Sequence, residues 1–170
     1  VSNWGGTLGL TPVKIFHKGY YDHMEESHEL LVSYGNEKIW DVLAENPRNR
    51  VVVFGEQPEM LRFPCSTQSY TDIEGSGGNF NLSSSPETLA EFFTFAGVDH
   101  IYLGSGYLKP GTDGFRNVTG LLKQGYLSDL LYENGNGLAV FSSEPTELTE
   151  EESETLLAEF TEKYWPGEQQ

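Results

Sequence analysis

The chain has 170 residues, with 26 acidic against 10 basic side chains and a formal net charge of −16. Neutralising phosphates takes clustered Lys and Arg, so this balance argues against nucleic acid as a partner and against an anionic membrane surface. The acidity favours solubility and says nothing about fold. The length fits one α/β domain over residues 1–170, large enough to bury roughly 70% of the surface exposed by its unfolded chain. The single cysteine, Cys65, excludes an intramolecular disulfide and leaves the compartment open. No apolar run approaches the ~20 residues of a membrane helix, and no signal peptide is visible. A start at Val1 rather than Met is what an excised fragment or a processed product would show.

Taken in chain order, residues 1–18 read as an irregular arm, rich in Gly and Thr over Val1–Pro12 and pinned to the body by Trp4. Gly19–Tyr34 has helical character, with Tyr20, Met24 and Leu31 among its apolar positions. Asn36 can cap a second helix carrying Ile39, Trp40, Leu43 and Ala44, which must end at Asn46-Pro47 because a residue before proline avoids the α region. Arg50-Val-Val-Val-Phe-Gly55 opens the buried strands, with Val51–Phe54 in the core. A strand over Ser69–Thr71 and a glycine-rich loop, Gly75-Ser-Gly-Gly-Asn79, follow.

Ser84 or Ser85 before Pro86 announces a third helix, since proline is favoured at the first helical position. Leu89, Phe92, Phe93 and Ala96 have helical spacing, and Gly97 supplies the stop. A strand over Asp99–Leu103 leads into a second glycine loop, Gly104-Ser-Gly106. Asn117 can cap a fourth helix with Leu121, Leu122, Leu127, Leu130 and Leu131 on its apolar side, ended by Gly135 and Gly137 before a last strand, Leu138–Phe141. Thr149-Glu-Glu-Glu152 is a capping box for an acidic terminal helix over residues 147–165, with Leu156, Leu157, Phe160 and Tyr164 as its apolar stripe and a solvated Glu face.

Alternating strands and helices predict a three-layer α/β sandwich, Rossmann-like, with a mostly parallel sheet of four or five strands. The two N-terminal helices and the acidic C-terminal helix would flank that sheet. Ligands of such sheets sit at the loops after the strands, yet neither glycine loop is a phosphate loop. Both lack the third glycine of the dinucleotide fingerprint, no helix starts immediately after them, and no Gly-Lys-Ser/Thr occurs. Ser76 and Ser105 fail the nucleophile-elbow pattern, because Glu74 and Gly78 flank one and Leu103 and Tyr107 the other.

The histidines are His17, His23, His28 and His100. His23 and His28 fall about 140° apart on a helix of 3.6 residues per turn, and His-Glu-x-x-His is absent, so no metal is expected. His100 reads as a core or edge residue. Asp72, Glu74 and Asp113 could pair for acid–base work or hold a cation, but nothing in the spacing requires it, and chance placement among abundant carboxylates is the stronger reading. No cofactor and no catalytic residue are assigned.

Tyr70, Asp72, Asn79, Phe80, Tyr107 and Phe115 gather in the two loop regions, where rings beside Asp and Asn suit sugars as well as a core. The candidate ligand-binding set is Tyr70, Asp72, Gly77, Asn79, Ser105 and Tyr107. Asn81-Leu-Ser and Asn117-Val-Thr match glycosylation sequons.

Several segments together resemble the soluble C-terminal region of polytopic membrane glycosyltransferase-like proteins of the mannosyltransferase type. The matching pieces are Tyr20–Tyr21 and Ile39-Trp40, Glu45-Asn-Pro, Arg50-Val-Val-Val-Phe-Gly-Glu56, and Tyr70-Thr-Asp-Ile-Glu-Gly-Ser-Gly-Gly78. Leu89-Ala-Glu-Phe-Phe-Thr-Phe-Ala-Gly-Val-Asp-His-Ile-Tyr102 and Leu138-Ala-Val-Phe141 complete the series, which covers roughly Tyr20 to Phe141. The resemblance rests on order and spacing, because each piece alone is common among α/β proteins. It implies a non-catalytic accessory domain on the extracytoplasmic face of the cell membrane, joined to the membrane through its parent protein. The partner it implies is an acceptor glycan or cell-envelope polymer, with transfer chemistry carried elsewhere in the parent. Two alternatives stand beside it: a carbohydrate-binding module, and a small enzyme acting on a nucleotide or phosphate compound.

Overall fold

The computed structural model describes residues 36–55, 63–75 and 82–164. The expected arm, the Gly19–Tyr34 helix, His17, His23 and His28, and Ser76, Gly77, Asn79, Phe80 and Asn81 lie outside those residues. In chain order the described elements are α1 (Glu37–Ala44), β1 (Arg50–Phe54), β2 (Ser66–Ser69), α2 (Tyr70–Gly75) and α3 (Pro86–Ala96). These are followed by β3 (His100–Leu103), α4 (Asp113–Lys123), β4 (Leu127–Glu133), β5 (Asn136–Phe141) and α5 (Glu150–Tyr164).

The strands form one five-stranded open sheet in the order β2-β1-β3-β5-β4. β2, β1 and β3 are parallel, whereas β5 runs antiparallel to both β3 and β4. The sheet is therefore mixed, and the expected parallel arrangement is confined to its three-stranded part.

Period-two alternation sends β1 side chains to opposite faces. Val52 and Phe54 join Leu89 and Phe93 of α3, Val118, Leu121 and Leu122 of α4, and Phe160 and Tyr164 of α5 in the larger core cluster. Val51 and Val53 join Ile39 and Leu43 of α1, with Tyr102 and Leu138, in the smaller one. Helices thus lie on both faces, and β1, covered on both, reads as the continuous apolar run expected of a buried parallel strand.

Two helix starts follow their sequence signals. The Ser85 hydroxyl accepts the Thr88 amide (3.2 Å) ahead of Pro86, and Gly97 closes α3 with φ +64°. The Thr149 hydroxyl accepts the Glu152 amide (3.3 Å) while the Glu152 carboxylate accepts the Thr149 amide (2.8 Å), the reciprocal capping box of α5.

Three expectations are corrected. The strand placed at Ser69–Thr71 runs instead over Ser66–Ser69, and Tyr70 begins α2. The chain turns there because the Tyr70 ring stacks on Phe54, with centroids 4.2 Å apart, and fills the core. The fourth helix starts at Thr112, whose hydroxyl accepts the Phe115 amide (3.3 Å), not at Asn117. It stops at Lys123, and Leu127–Glu133 is a strand.

The helical spacing of Leu127, Leu130 and Leu131 is the imprint of a β-bulge. Ser128 pairs with Val140 and Leu131 with Leu138, so three steps along β4 face two along β5, with Asp129 at φ +47°. The bulge puts Leu127 and Leu130, three apart, on the same cluster, while ordinary alternation sends Leu131 to the other.

Asn36 precedes α1 as expected but makes no side-chain cap; its Oδ1 accepts the buried Tyr102 hydroxyl (3.2 Å). The helix amides of Lys38 and Ile39 donate instead to the Glu133 carboxylate (3.0 and 3.3 Å), an acceptor 95 and 94 residues away in sequence. That carboxylate meets the free amides and the positive end of the helix dipole.

Candidate functional site

In the order β2-β1-β3, the strand that follows β1 lies on one side of it and β3 lies on the other. Strand order thus reverses beside β1, and it is outside the carboxyl ends of the strands at such a point that open α/β sheets bind ligands. The Gly104 amide donates to the Phe54 carbonyl (2.7 Å), closing the two strands together. A side chain at Gly104 would place Cβ 3.2 Å from that carbonyl oxygen, a tight contact that glycine avoids.

The loop that follows is held on three sides. The Ser105 amide donates to Asn136 Oδ1 (2.9 Å), the Tyr164 hydroxyl donates to the Gly104 carbonyl, and the Tyr107 hydroxyl shares a hydrogen bond with Thr71 Oγ1 (3.0 Å). This last bond joins the loop after β3 to the α2 turn after β2. The structure therefore brings together two of the regions singled out in the sequence. Tyr107 is half-buried, and Asp72 and Ser105 are exposed.

Tyr70 has a different role. Its ring is 1% exposed, stacked on Phe54, and its hydroxyl accepts a hydrogen bond from Asn117 Nδ2 (3.0 Å). Burial, opposed by that bond, raises its pKa above the ordinary phenol value. Tyr70 is a core residue that positions α2, whereas Tyr107 packs only in part against that core and keeps some exposure in the loop. Asn117, expected as a helix cap and a sequon, is fully buried in α4 and also donates to the Ser83 carbonyl (2.8 Å). A glycan has no access to it in the folded chain.

The other chemistry-bearing residues sit elsewhere. Asp113 forms an exposed ion pair with Arg116 (2.6 Å) at the start of α4, a type of contact worth little energetically. His100 lies at the amino end of β3; burial lowers its pKa, the nearby Asp99 charge opposes this, and its buried Nδ1 has no partner. Burial pushes the Cys65 thiol up to about 12, with Asp99 adding to the effect, so this thiol is held protonated and unreactive. Among the described residues no group of three or more His, Cys, Asp or Glu is placed to hold a metal ion. No described helix is long and apolar enough to cross a membrane.

A concavity of about 350 Å³ opens at the other end of the parallel strands, between β2 and the end of α3. Sequence reading gave no hint of it. The signal that existed was Phe95, apolar yet out of step with the buried face of α3 formed by Leu89, Ala90 and Phe93. Comparisons with protein-family models, with curated proteins and with solved structures returned no match.

Proposed function

We propose that this chain is a non-catalytic, glycan-contacting domain of a membrane-bound glycosyltransferase-like protein, acting on the extracytoplasmic face of the membrane. The observation that carries the reading is the Tyr107–Thr71 bond, which ties the loop after β3 to α2 beside the strand-order reversal. A half-buried tyrosine with its hydroxyl fixed offers a rigid ring face to the apolar side of a sugar. Exposed Asp72 and Ser105 supply hydrogen-bond partners for sugar hydroxyls. The ordered resemblance from Tyr20 to Phe141 supplies the parent protein and the sugar class.

In this reading the parallel part of the sheet is Rossmann-like in strand order but not in ligand. α4 begins only at Asp113, nine positions after Gly104, so no helix N-terminus directs its amides at the Gly104 loop.

Amide shift mapping with mannose oligosaccharides, and separately with a nucleoside diphosphate, tests the proposal. Mannosides should perturb Asp72, Ser105 and Tyr107 saturably. Tyr107→Ala should abolish the effect, and Tyr107→Phe should weaken it by removing only the Thr71 bond. Absence of saturable mannoside shifts, or preference for the nucleotide at this loop, would refute the reading. A parent gene lacking a block of membrane helices would refute the membrane attachment.

A further inference from the structure

The cleft at the opposite end of the strands has its own chemistry, independent of the glycan reading. Val52 and Phe54 face α3 in the larger core cluster, so the two-residue period of β1 places Arg50 on that face as well. Ser66 and Gln68 are the register partners of Arg50 and Val52 and share their face of the edge strand β2. Both are exposed. Across from them Phe95, in the last turn of α3, is 91% exposed. Val52 and Val98, 1% and 8% exposed, line the space between. The volume of about 350 Å³ falls within the range of small-molecule sites.

The electrostatics of this cleft run against those of the chain. Its described lining holds one guanidinium and no carboxylate, in a protein with 26 acidic and 10 basic residues. Arg50 Nη1 donates to the Ala96 carbonyl at the end of α3, which fixes the guanidinium in place. Asp99 Oδ2 accepts the Arg50 backbone amide (2.9 Å), and no described carboxylate pairs with the guanidinium. A guanidinium has five N–H groups in a planar fork matched to a carboxylate. The Nε and Nη2 groups remain for a ligand.

We infer that this cleft binds a small organic carboxylate with an apolar body, its carboxylate on Arg50 and its body between Phe95 and the Val52–Val98 floor. The polar edge of Ser66 and Gln68 supplies further hydrogen bonds to the carboxylate end. Sodium benzoate is the probe and benzamide its neutral counterpart, each titrated into the intact chain and followed by amide shifts. Benzoate should shift Gln68, Ala96 and Val98 saturably, with benzamide about threefold weaker, because Arg50 is exposed and its pairing with a carboxylate is screened by water. Arg50→Gln should remove that preference, and Arg50→Lys should retain part of it. Phe95→Ser, a change at an exposed position that should leave folding intact, should weaken both probes. Equal binding of benzoate and benzamide, benzoate shifts confined to the Tyr107 loop, or no saturation below ~10 mM would overturn the inference.

Discussion

Replacing Asn117 by Ala tests how the core and the candidate loops are coupled. The side chain is fully buried in α4, and its Nδ2 donates to the Tyr70 hydroxyl (3.0 Å) and to the Ser83 carbonyl (2.8 Å). Each bond contributes roughly 0.5–1.5 kcal/mol net, and a buried polar group left without its partner adds to the cost. Ala is the better helix former by roughly 0.6 kcal/mol, which offsets part of the loss. The expected net destabilisation is about 2 kcal/mol. With a urea m-value of about 2 kcal/mol/M for a chain this size, the unfolding midpoint should fall by about 1 M. Tyr70→Phe removes the shared hydroxyl alone. The double mutant should therefore fall short of additivity by about 1 kcal/mol. A midpoint within ~0.2 M of the parent chain for Asn117→Ala, or strict additivity in the cycle, would refute this account of the network.

Two further outcomes are expected. Gly→Ala in a helix interior normally gains about 1 kcal/mol, but at Gly120 the new Cβ would lie 2.2 Å from Pro86 Cγ at the α3–α4 contact. Gly120→Ala should therefore lower the thermal midpoint, and a rise would show that the two helices separate freely. His100 supplies a pH dependence: burial depresses its folded pKa below the ordinary 6.5, so the unfolded chain takes up the proton first as pH falls. Its contribution to stability is complete above the unfolded value and is lost as pH falls through the folded one. His100→Asn should consequently lose less stability than the parent between about pH 7.5 and about pH 5.5, measured by urea unfolding at each. An equal loss in both chains would rule out His100 as a contributor.

Local chemistry made the fold partly legible. Ser85-Pro86, Gly97 and the Thr149–Glu152 box act within a turn of the helices they bound, so sequence alone located them. The Val51–Phe54 run announced a strand covered on both faces for the same reason. The failures were tertiary. A bulge at Asp129 gave β4 a helical leucine spacing, and the cap of α1 came from Glu133 on that strand, far along the chain. One local signal was available and overlooked: Asn134-Gly135, both at positive φ (48° and 79°), is the two-residue turn typical of a β-hairpin. In the candidate site, Tyr107 and Ser105 were legible as loop residues. The burial of Tyr70 depended on where Phe54 and Asn117 came to rest, and no spacing rule encodes that.

The hairpin absent from the sequence reading is also what fixes the loop that the sequence did identify. The β4–β5 turn brings Asn136 Oδ1 onto the Ser105 amide. It also seats Gly135 so close that a Cβ there would lie 2.8 Å from Ser105 Oγ. α5 adds Tyr164 at the Gly104 carbonyl, and α2 adds Thr71 at Tyr107. Three elements distant in sequence thus hold Gly104, Ser105 and Tyr107. A loop ordered before it meets a ligand loses little entropy on binding, and contacts held by neighbouring regular elements are positioned more accurately than those of a loop alone. On the proposed reading, such an arrangement would present Tyr107 and Ser105 to a ligand without a prior ordering step, which is the opposite of what a lid closing over a reaction requires.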